Sequence, residues 1–190
     1  MPDRTDPRIT RTAQALEQAI VELAAQRPVS QITVADLAER AGVTRATFYN
    51  RYTTPLDLLI QVLYADLEHS KRRKEARRAE GRYSAEQVVR LVISDVADHV
   101  ERFIAVYRHA LHDPADSGVY EALVRCFTDR SLAVIARSAH PVLSGSSHQL
   151  IAQFAAHGFA GAIKSWLTDD SVTKTDLVEA AVACVPAWWT

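Results

Sequence analysis

The amino-acid sequence predicts an all-α protein, and three observations support this fold class. Apolar residues recur at three- and four-residue intervals in most segments, which is the spacing of one helix face. The 190 residues include only six glycines, and alternating β-branched runs that would predict strands are few. Prolines and threonines stand where the helices are expected to begin or end. The chain is long enough to bury a substantial core.

The first helix is predicted over residues 8–26 and is ended by Pro28. Its apolar stripe consists of Ile9, Ala13, Leu16, Ala19, Ile20 and Leu23. The preceding residues, 1–7, contain two prolines and alternating charges and are expected to form a flexible arm. Arginines in and after this arm are candidates for contacts with phosphates or a minor groove, by analogy with basic arms. They are Arg4, Arg8 and Arg11.

Two short helices are predicted within residues 33–52, TVADLAERAGVTRATFYNRY. The first presents Val34, Leu37, Ala38 and Ala41 on one face. Thr33 is its candidate N-cap, with Asp36 placed to reach back, and Gly42 suits a left-handed turn at its end. Thr44 can cap the second helix, whose Phe48 and Tyr52 lie one turn apart. This arrangement is typical of a helix-turn-helix, whose second helix enters the DNA major groove.

An ordinary helical hairpin in an all-α core is the alternative interpretation of this segment. The outward positions argue against it, because their side chains can hydrogen-bond and are not the Glu and Lys typical of a solvated face. These positions are Arg45, Thr47, Tyr49, Asn50 and Arg51.

Thr53-Thr54-Pro55 predicts the start of a fourth helix, with Leu56, Leu59, Ile60, Leu63 and Leu67 on one face. Its charged continuation, KRRKEARR at 71–78, is interpreted as a solvated helix end. Further helices are predicted over 84–111, possible interruption included, and over 119–139 and 149–168. Thr175 is the candidate cap of a last helix, and Pro186 is expected to end or kink it.

Residues 33–56 resemble the DNA-binding segment of tetracycline-repressor-type (TetR family) transcriptional regulators. The family pattern is matched by Thr33, Leu37-Ala38, Ala41-Gly42-Val43-Thr44 and Phe48-Tyr49. Arg51-Tyr52 stands where His-Phe is usual, and Thr54-Pro55-Leu56 replaces Ser-Lys-Glu. The motif match covers about the first 60 residues. The remainder is similar to the family in length and helical character.

The resemblance implies a DNA-binding domain over residues 1–54. Residues 55–190 would form a helical ligand-binding and dimerisation domain that begins with the connecting helix. The resemblance also implies a cytoplasmic, sequence-specific regulator of transcription that binds double-stranded DNA, acts as a repressor, and needs no cofactor. The residues expected to contact bases or phosphates are Thr33, Thr44, Arg45, Ala46, Thr47, Tyr49, Asn50 and Arg51.

An effector site is expected between the central helices, where family members enclose a ligand. Few charges interrupt the apolar side-chain stripes at residues 88–107 and 120–127, so we expect a small apolar or aromatic ligand. The candidate residues are His99, Phe103, Tyr107, Tyr120 and Phe127. The alternative is that these residues simply fill the core, because periodicity cannot distinguish a filled interior from a pocket. A regulator without a small-molecule effector therefore stays open.

A homodimer is expected through residues 149–168 and 175–189, and it would recognise a palindromic site. Small residues in the first segment allow close approach, and three tryptophans supply apolar area: Trp166, Trp188 and Trp189.

A metal-dependent enzyme is the remaining alternative. His109, His112 and Asp113 have a spacing that could ligate a metal, but no further ligand is paired with them. Cys126 and Cys184 are far apart in sequence and are expected to be buried small hydrophobes. No nucleophile elbow or phosphate-binding glycine loop is present, and no apolar run approaches the ~18 residues of a membrane span. We expect neither an enzyme nor a membrane partner.

The net charge of −1 does not indicate a nucleic-acid partner by itself. Its distribution is more informative, because basic residues outnumber acidic ones in residues 1–80 and the reverse holds in residues 81–190. The sign of this asymmetry favours DNA binding at the N-terminal end.

Overall fold

The computed structural model describes residues 7–79, 83–112, 117–137 and 147–186. All regular elements in these ranges are helical, which confirms the predicted fold class. They are α1 (Pro7–Ala24), a 3-10 turn (Val29–Gln31), α2 (Val34–Ala41), α3 (Arg45–Tyr49), α4 (Pro55–Ala79), α5 (Ala85–Arg102), α6 (Ile104–His112), α7 (Ser117–Ile135), α8 (His148–Thr168) and α9 (Lys174–Ala183). None of these helices has the length and apolar character that a membrane crossing requires.

Helices α1, α2 and α3 form an N-terminal head around an apolar interior. Leu16, Ile20, Leu37 and Phe48 are fully buried there. Two ion pairs also join α1 and its exit to α2. Arg27 contacts Asp36 at 2.7 Å, and Arg40 contacts Glu22 at 3.1 Å. Because these pairs are partly exposed, apolar burial contributes most of the stability of the head.

Helix α4 connects the head to the rest of the molecule. Leu58 and Leu59 near its start are buried in one continuous apolar cluster that includes both head and core residues. Thr54 caps the helix reciprocally with Asp57: each backbone N–H donates to the other side chain at 3.1 Å. The start of α4 is therefore fixed both by apolar packing and by a capping box.

The helix predicted over 84–111 is interrupted in the structure. Phe103 leaves helical geometry, with φ −110° and ψ 27°, and separates α5 from α6. This break places Tyr107 of α6 beside His99 of α5, with a hydrogen bond of 2.9 Å. Both side chains are buried as a result.

Helix α9 begins two residues earlier than predicted. Thr173, and not Thr175, is its N-cap, because Asp176 lies three residues beyond it and completes a capping box. The backbone N–H of Asp176 donates to Thr173 Oγ1 at 3.2 Å, and that of Thr173 donates to the Asp176 carboxylate at 2.8 Å. Val178, three residues after Thr175, has no side-chain oxygen that could accept the Thr175 N–H in a capping box. The helix ends at Ala183, before Pro186 as predicted.

Helix α8 packs along α7 through small residues. Ala152, Ala156 and Ala160 are fully buried, and Trp166 is only 8% exposed. The expectation that Trp166 supplies exposed area for a dimer is therefore wrong, because the tryptophan packs within its own protomer. Trp188 and Trp189 lie outside the described residues, as do residues 1–6.

Candidate functional site

The turn between α2 and α3 has the geometry that the sequence predicted. Thr33 Oγ1 accepts the Asp36 N–H at 3.1 Å, and the Thr33 N–H donates to the Asp36 carboxylate at 2.9 Å. The Thr33 N–H and the Thr33 side chain, with the nearby Arg27 charge, lower the pKa of the Asp36 carboxyl. Gly42 ends α2 at φ +65°, the left-handed conformation that glycine adopts without a steric cost. The predicted capping box and turn are confirmed.

Thr44 begins α3 as predicted. Its Oγ1 accepts the Thr47 N–H at 3.1 Å, and the two threonine hydroxyls lie 2.8 Å apart. The orientation of the first turn of α3 is fixed in this way. A helix of only five residues needs such support, because it forms too few internal hydrogen bonds to be stable by itself.

The inner side of α3 is anchored in the apolar interior of the head. Phe48 is fully buried and Tyr52 is 8% exposed, with their ring centroids 5.7 Å apart. Tyr52 lies beyond the last residue of α3, although its N–H still bonds to the Phe48 carbonyl at 3.0 Å. Burial, with a smaller contribution from Glu17, raises the pKa of Tyr52. The hydroxyl is therefore a neutral group in the wall of the head.

The predicted DNA-contacting residues lie on α3, beside its two ends, and at the N-cap of α2, and most of them are exposed. Thr47 is half-buried, and Tyr49 is 60% exposed with its ring edge-on to Phe48 at 5.5 Å. The remaining residues of this set are exposed: Thr33, Thr44, Arg45, Ala46, Asn50 and Arg51. We call this set of residues the α3 face.

A small cavity lies in the core between α4, α5, α6 and α7. Its volume is about 20 Å³. It is lined by Ile60, Leu63, Tyr64, Leu67, His99, Tyr107, Val119, Ala122, Leu123 and Cys126. About one water molecule fits into such a volume, whereas sites for drug-sized ligands measure roughly 300–1,000 Å³. The core is thus nearly filled in this conformation.

His99 joins three helices through a buried polar network beside this cavity. Its Nδ1 lies 2.7 Å from an Asp66 carboxylate oxygen of α4, and its Nε2 lies 2.9 Å from the Tyr107 hydroxyl. Arg102 donates to the same Asp66 oxygen at 2.5 Å. Burial lowers the pKa of His99, although the Asp66 carboxylate opposes this effect. The neutral ring therefore donates from Nδ1 and accepts the Tyr107 proton at Nε2.

Asp66 is held in its charged form by the same network. Its burial favours the neutral acid, but hydrogen bonds from Arg102 and His99 outweigh burial and lower the pKa of Asp66. Because the Tyr107 hydroxyl already donates to His99, it can only accept from a polar ligand group while that bond is intact.

Only two of the five predicted ligand residues line the cavity, namely His99 and Tyr107. The Phe103 ring packs against His99 at 5.1 Å, outside the lining set. The Tyr120 ring lies 6.4 Å from His157, and the Phe127 ring lies 6.0 Å from Phe159, so both face α8. Their residue type and spacing were correct for the core, but periodicity does not reveal which neighbour each side chain meets.

Tyr64 and Cys126 line the cavity, although neither was predicted from the sequence as a ligand-site residue. Tyr64 lies one turn after Ile60, so its helical spacing was the available signal. Burial, with the neighbouring Cys126 thiol, raises the pKa of Tyr64 to about 12. Cys126 is buried as expected, whereas Cys184, at the end of α9, is exposed.

The possible metal site gains no support from the part of the chain that the structure describes. Within those ranges, no three His, Cys, Asp or Glu side chains are placed to hold one ion. His109 is half-buried on α6. The side chains of His112 and Asp113 lie outside the described residues.

The N-terminal part of the chain is similar in sequence to a known protein family. Residues 17–62 match the family model for bacterial regulatory proteins of the tetR family. No curated protein matches the sequence of the chain.

Several solved structures share the fold over nearly the whole chain. NalD of Pseudomonas aeruginosa, the secondary repressor of the MexAB-OprM multidrug efflux pump, is 20% identical, with a TM-score of 0.62 over 96% of this chain and 100% of its own. A TetR transcriptional regulator from Streptococcus agalactiae 2603V is 22% identical, with a TM-score of 0.60 over 94% and 95%. The dihydroxyacetone kinase operon activator DhaS is 13% identical, with a TM-score of 0.58 over 90% and 92%.

Proposed function

We propose that this chain is a DNA-binding transcriptional regulator of the TetR family, a repressor which binds a palindromic operator as a homodimer. We propose further that a small apolar or aromatic molecule releases it from that operator. Residues 1–54 would form the DNA-binding domain, and residues 55–190 the ligand-binding and dimerisation domain. The observation that carries the proposal is the α3 face, a polar surface fixed by two caps and a buried anchor.

Each residue of the α3 face has a role that its chemistry supports. Arg45, at the start of α3, can pair with a guanine through two hydrogen bonds, and the methyl groups of Ala46 and Thr47 can contact thymine. Tyr49 and Arg51 are proposed to contact phosphates, because both side chains are exposed and can donate hydrogen bonds. The remaining members of the set, Thr33, Thr44 and Asn50, can hydrogen-bond to the backbone or to a base edge.

The homodimer is proposed to form through α8 and α9. Leu150 is 66% exposed and Phe154 is 85% exposed on one side of α8, where a second copy would cover them. Gly158 and Gly161 have open space around their Cα atoms, so a partner helix can approach closely there. A two-fold dimer presents two copies of α3 to successive major grooves, about 34–36 Å apart.

Effector control is proposed to act by opening the core cavity. A ligand larger than one water fits only if α4 and α7 move apart, because the cavity measures about 20 Å³. Such a ligand necessarily prefers the opened arrangement, and this preference is what a shift between two states requires. Most of the lining is apolar, which favours an apolar or aromatic molecule.

Regulation without a small-molecule effector is the second candidate, and the small volume of the cavity favours it. Repression is proposed over activation because the resemblance of residues 33–56 to TetR-family regulators implies a repressor. The fold itself is shared by a named repressor and a named activator.

The first experiment recovers genomic fragments that bind the purified protein and measures operator affinity by fluorescence anisotropy. Arg45→Ala and Tyr49→Phe should each weaken operator binding by roughly 1–3 kcal/mol. Arg137→Ala, at an exposed arginine after α7, is the matched control and should leave affinity unchanged. Absence of a specifically bound fragment, or equal losses in the control, would refute the proposed function. Transcription from the recovered promoter in vitro then distinguishes repression from activation.

The second experiment tests the effector. Apolar compounds that raise the melting temperature are assayed for weakened operator binding. Ala122→Val fills the cavity and should abolish that response, whereas Ala133→Val, at an exposed site on the same helix, should not. Compounds that stabilise the fold without changing operator affinity would favour the effector-free alternative.

A further inference from the structure

Gly118, in the first turn of α7, lies against Leu56, in the first turn of α4. A Cβ atom built on Gly118 would overlap the Cδ2 methyl of Leu56, and it would lie 3.3 Å from Cδ1 and 3.4 Å from Cγ. Gly158 and Gly161 differ from Gly118, since nothing lies within 4 Å of a Cβ built on either. Gly118 does not have a positive φ, so any cost of a side chain there comes from the contact with Leu56 and not from backbone conformation.

Leu56 lies close in sequence to the anchor of the α3 face. It follows Pro55, the first residue of α4, and stands four residues after buried Tyr52. Tyr52 contacts Phe48, the buried residue of α3, with ring centroids 5.7 Å apart. The connection from Leu56 to α3 is therefore short and capped, and it has little freedom to absorb a displacement.

The same two helices border the core cavity. Leu56, Ile60, Leu63 and Leu67 lie on one face of α4, and the last three line the cavity. Beyond Gly118, α7 contributes Val119, Ala122, Leu123 and Cys126 to the opposite wall. The contact between Gly118 and Leu56 is thus the end of the α4–α7 packing that lies nearest the head.

We propose that Gly118 is a positioning residue for DNA recognition. Because Gly118 has no side chain, α7 can pack closely against Leu56. This contact fixes the position in which α4 holds the head and its α3 face. The inference rests on the proposed function, since operator binding is what the position of α3 serves. Opening of the cavity would disturb the contact between Gly118 and Leu56, and effector binding would thereby displace α3.

The test increases side-chain size at position 118 and then removes the obstructing group. The variants are Gly118→Ala, Gly118→Val, Leu56→Ala and the double variant Gly118→Val/Leu56→Ala. Ala133→Val places the same β-branched residue at an exposed position of α7 and controls for helix propensity. Operator affinity is measured well below the melting temperature, and stoichiometric titration gives the active fraction.

Gly118→Val should weaken operator binding by about 5- to 150-fold, the usual range of coupling between sites. Gly118→Ala should have a smaller effect, because the Leu56 side chain can partly rotate away. The double variant should recover most of the lost affinity, although Leu56→Ala alone removes apolar packing. A merely structural defect would instead lower the active fraction and leave the affinity of the active molecules unchanged.

Unchanged affinity in active Gly118→Val, or no recovery in the double variant, would overturn the inference. Amide hydrogen exchange over residues 45–60 provides a readout that needs no DNA. Exchange there should increase in Gly118→Val, return toward the wild-type rate in the double variant, and stay unchanged in Ala133→Val. If wild-type protein binds no operator, the proposed function fails, and the exchange result alone then decides whether Gly118 positions the head.

Discussion

His99 is a single residue through which α4, α5 and α6 are joined. The buried ring donates to Asp66 and accepts from Tyr107, and Arg102 and Arg130 are the other charges that act on it. Protonation would remove the acceptor at Nε2, because both ring nitrogens then become donors. Acid is therefore expected to loosen this part of the core.

The sign of the resulting pH dependence follows from the pKa of His99. Burial lowers that pKa below 6.5 in the folded protein, whereas in the unfolded chain it is about 6.5. The unfolded state binds more protons in this interval, so the free energy of unfolding should fall as pH falls below about 6.5. Asp66 does not interfere, because its lowered pKa confines its contribution to more acidic pH.

We predict that His99→Gln reduces the slope of unfolding free energy against pH between 7 and 5.5. One titrating group accounts for at most about 1.4 kcal/mol per pH unit. Urea denaturation at several pH values measures the slope. His69→Gln, at an exposed site on α4, is the control and should keep the wild-type slope. Equal slopes in wild type and His99→Gln would contradict the assignment.

Pro55 occupies a position where the family pattern places a lysine. Pro55→Lys should add one phosphate contact per subunit and steepen the salt dependence of operator binding by about one counterion. The variant also loses a residue suited to a helix start, so a lower melting temperature is expected. His69→Lys adds the same charge farther along α4 and should leave the salt slope unchanged. A folded Pro55→Lys protein with the wild-type slope would show that another residue already neutralises that phosphate.

At the scale of elements, the α2–α3 turn depends on the backbone of Gly42. Its φ of +65° is costly for residues with a Cβ, yet nothing lies within 4 Å of a Cβ built there. Gly42→Ala should therefore destabilise the protein by about 1–2 kcal/mol through backbone strain alone. Gly42→Asn should cost less, because asparagine tolerates this conformation. Urea denaturation of both variants measures the difference, and equal losses would argue against a backbone origin.

Element boundaries show where local signals are sufficient. Thr33 with Asp36 and Thr54 with Asp57 are capping boxes within four residues of sequence, and each lies where the sequence predicts a helix start. The same signal is present in Thr173 with Asp176, although Thr175 is the cap predicted for α9. The true cap is thus also a local property of the sequence.

At the scale of the whole molecule, the proposed dimer depends on the exposed side of α8. Phe154→Glu should convert the dimer to a monomer in sedimentation at micromolar concentration, because a charge would be buried against an apolar partner surface. Operator affinity should fall with dimerisation, since both half-sites are then no longer bound together. Ala133→Glu, which places the same charge at an exposed position of α7, should remain dimeric. A dimeric Phe154→Glu protein would move the interface elsewhere.

The sequence by itself determined the all-α class, the helix-turn-helix and the set of residues on the α3 face. These features depend on interactions between residues close in sequence: capping oxygens, a left-handed glycine and the alternation of buried and exposed positions along one helix. Phe48 was expected inside and Tyr49 outside, and both are found there. Such patterns depend on only a few consecutive residues, so they can be recognised without knowing the rest of the fold.

Only the tertiary structure decided which apolar surfaces meet. The sequence predicted Trp166 at a dimer interface and Phe127 in a ligand site, but it did not reveal that Trp166 packs in its own protomer or that Phe127 turns toward α8. The small volume of the cavity and the contact of Gly118 with Leu56 were equally beyond the sequence. The physical reason is that apolar attraction is non-directional, so the choice of partner depends on shape complementarity between residues far apart in the chain.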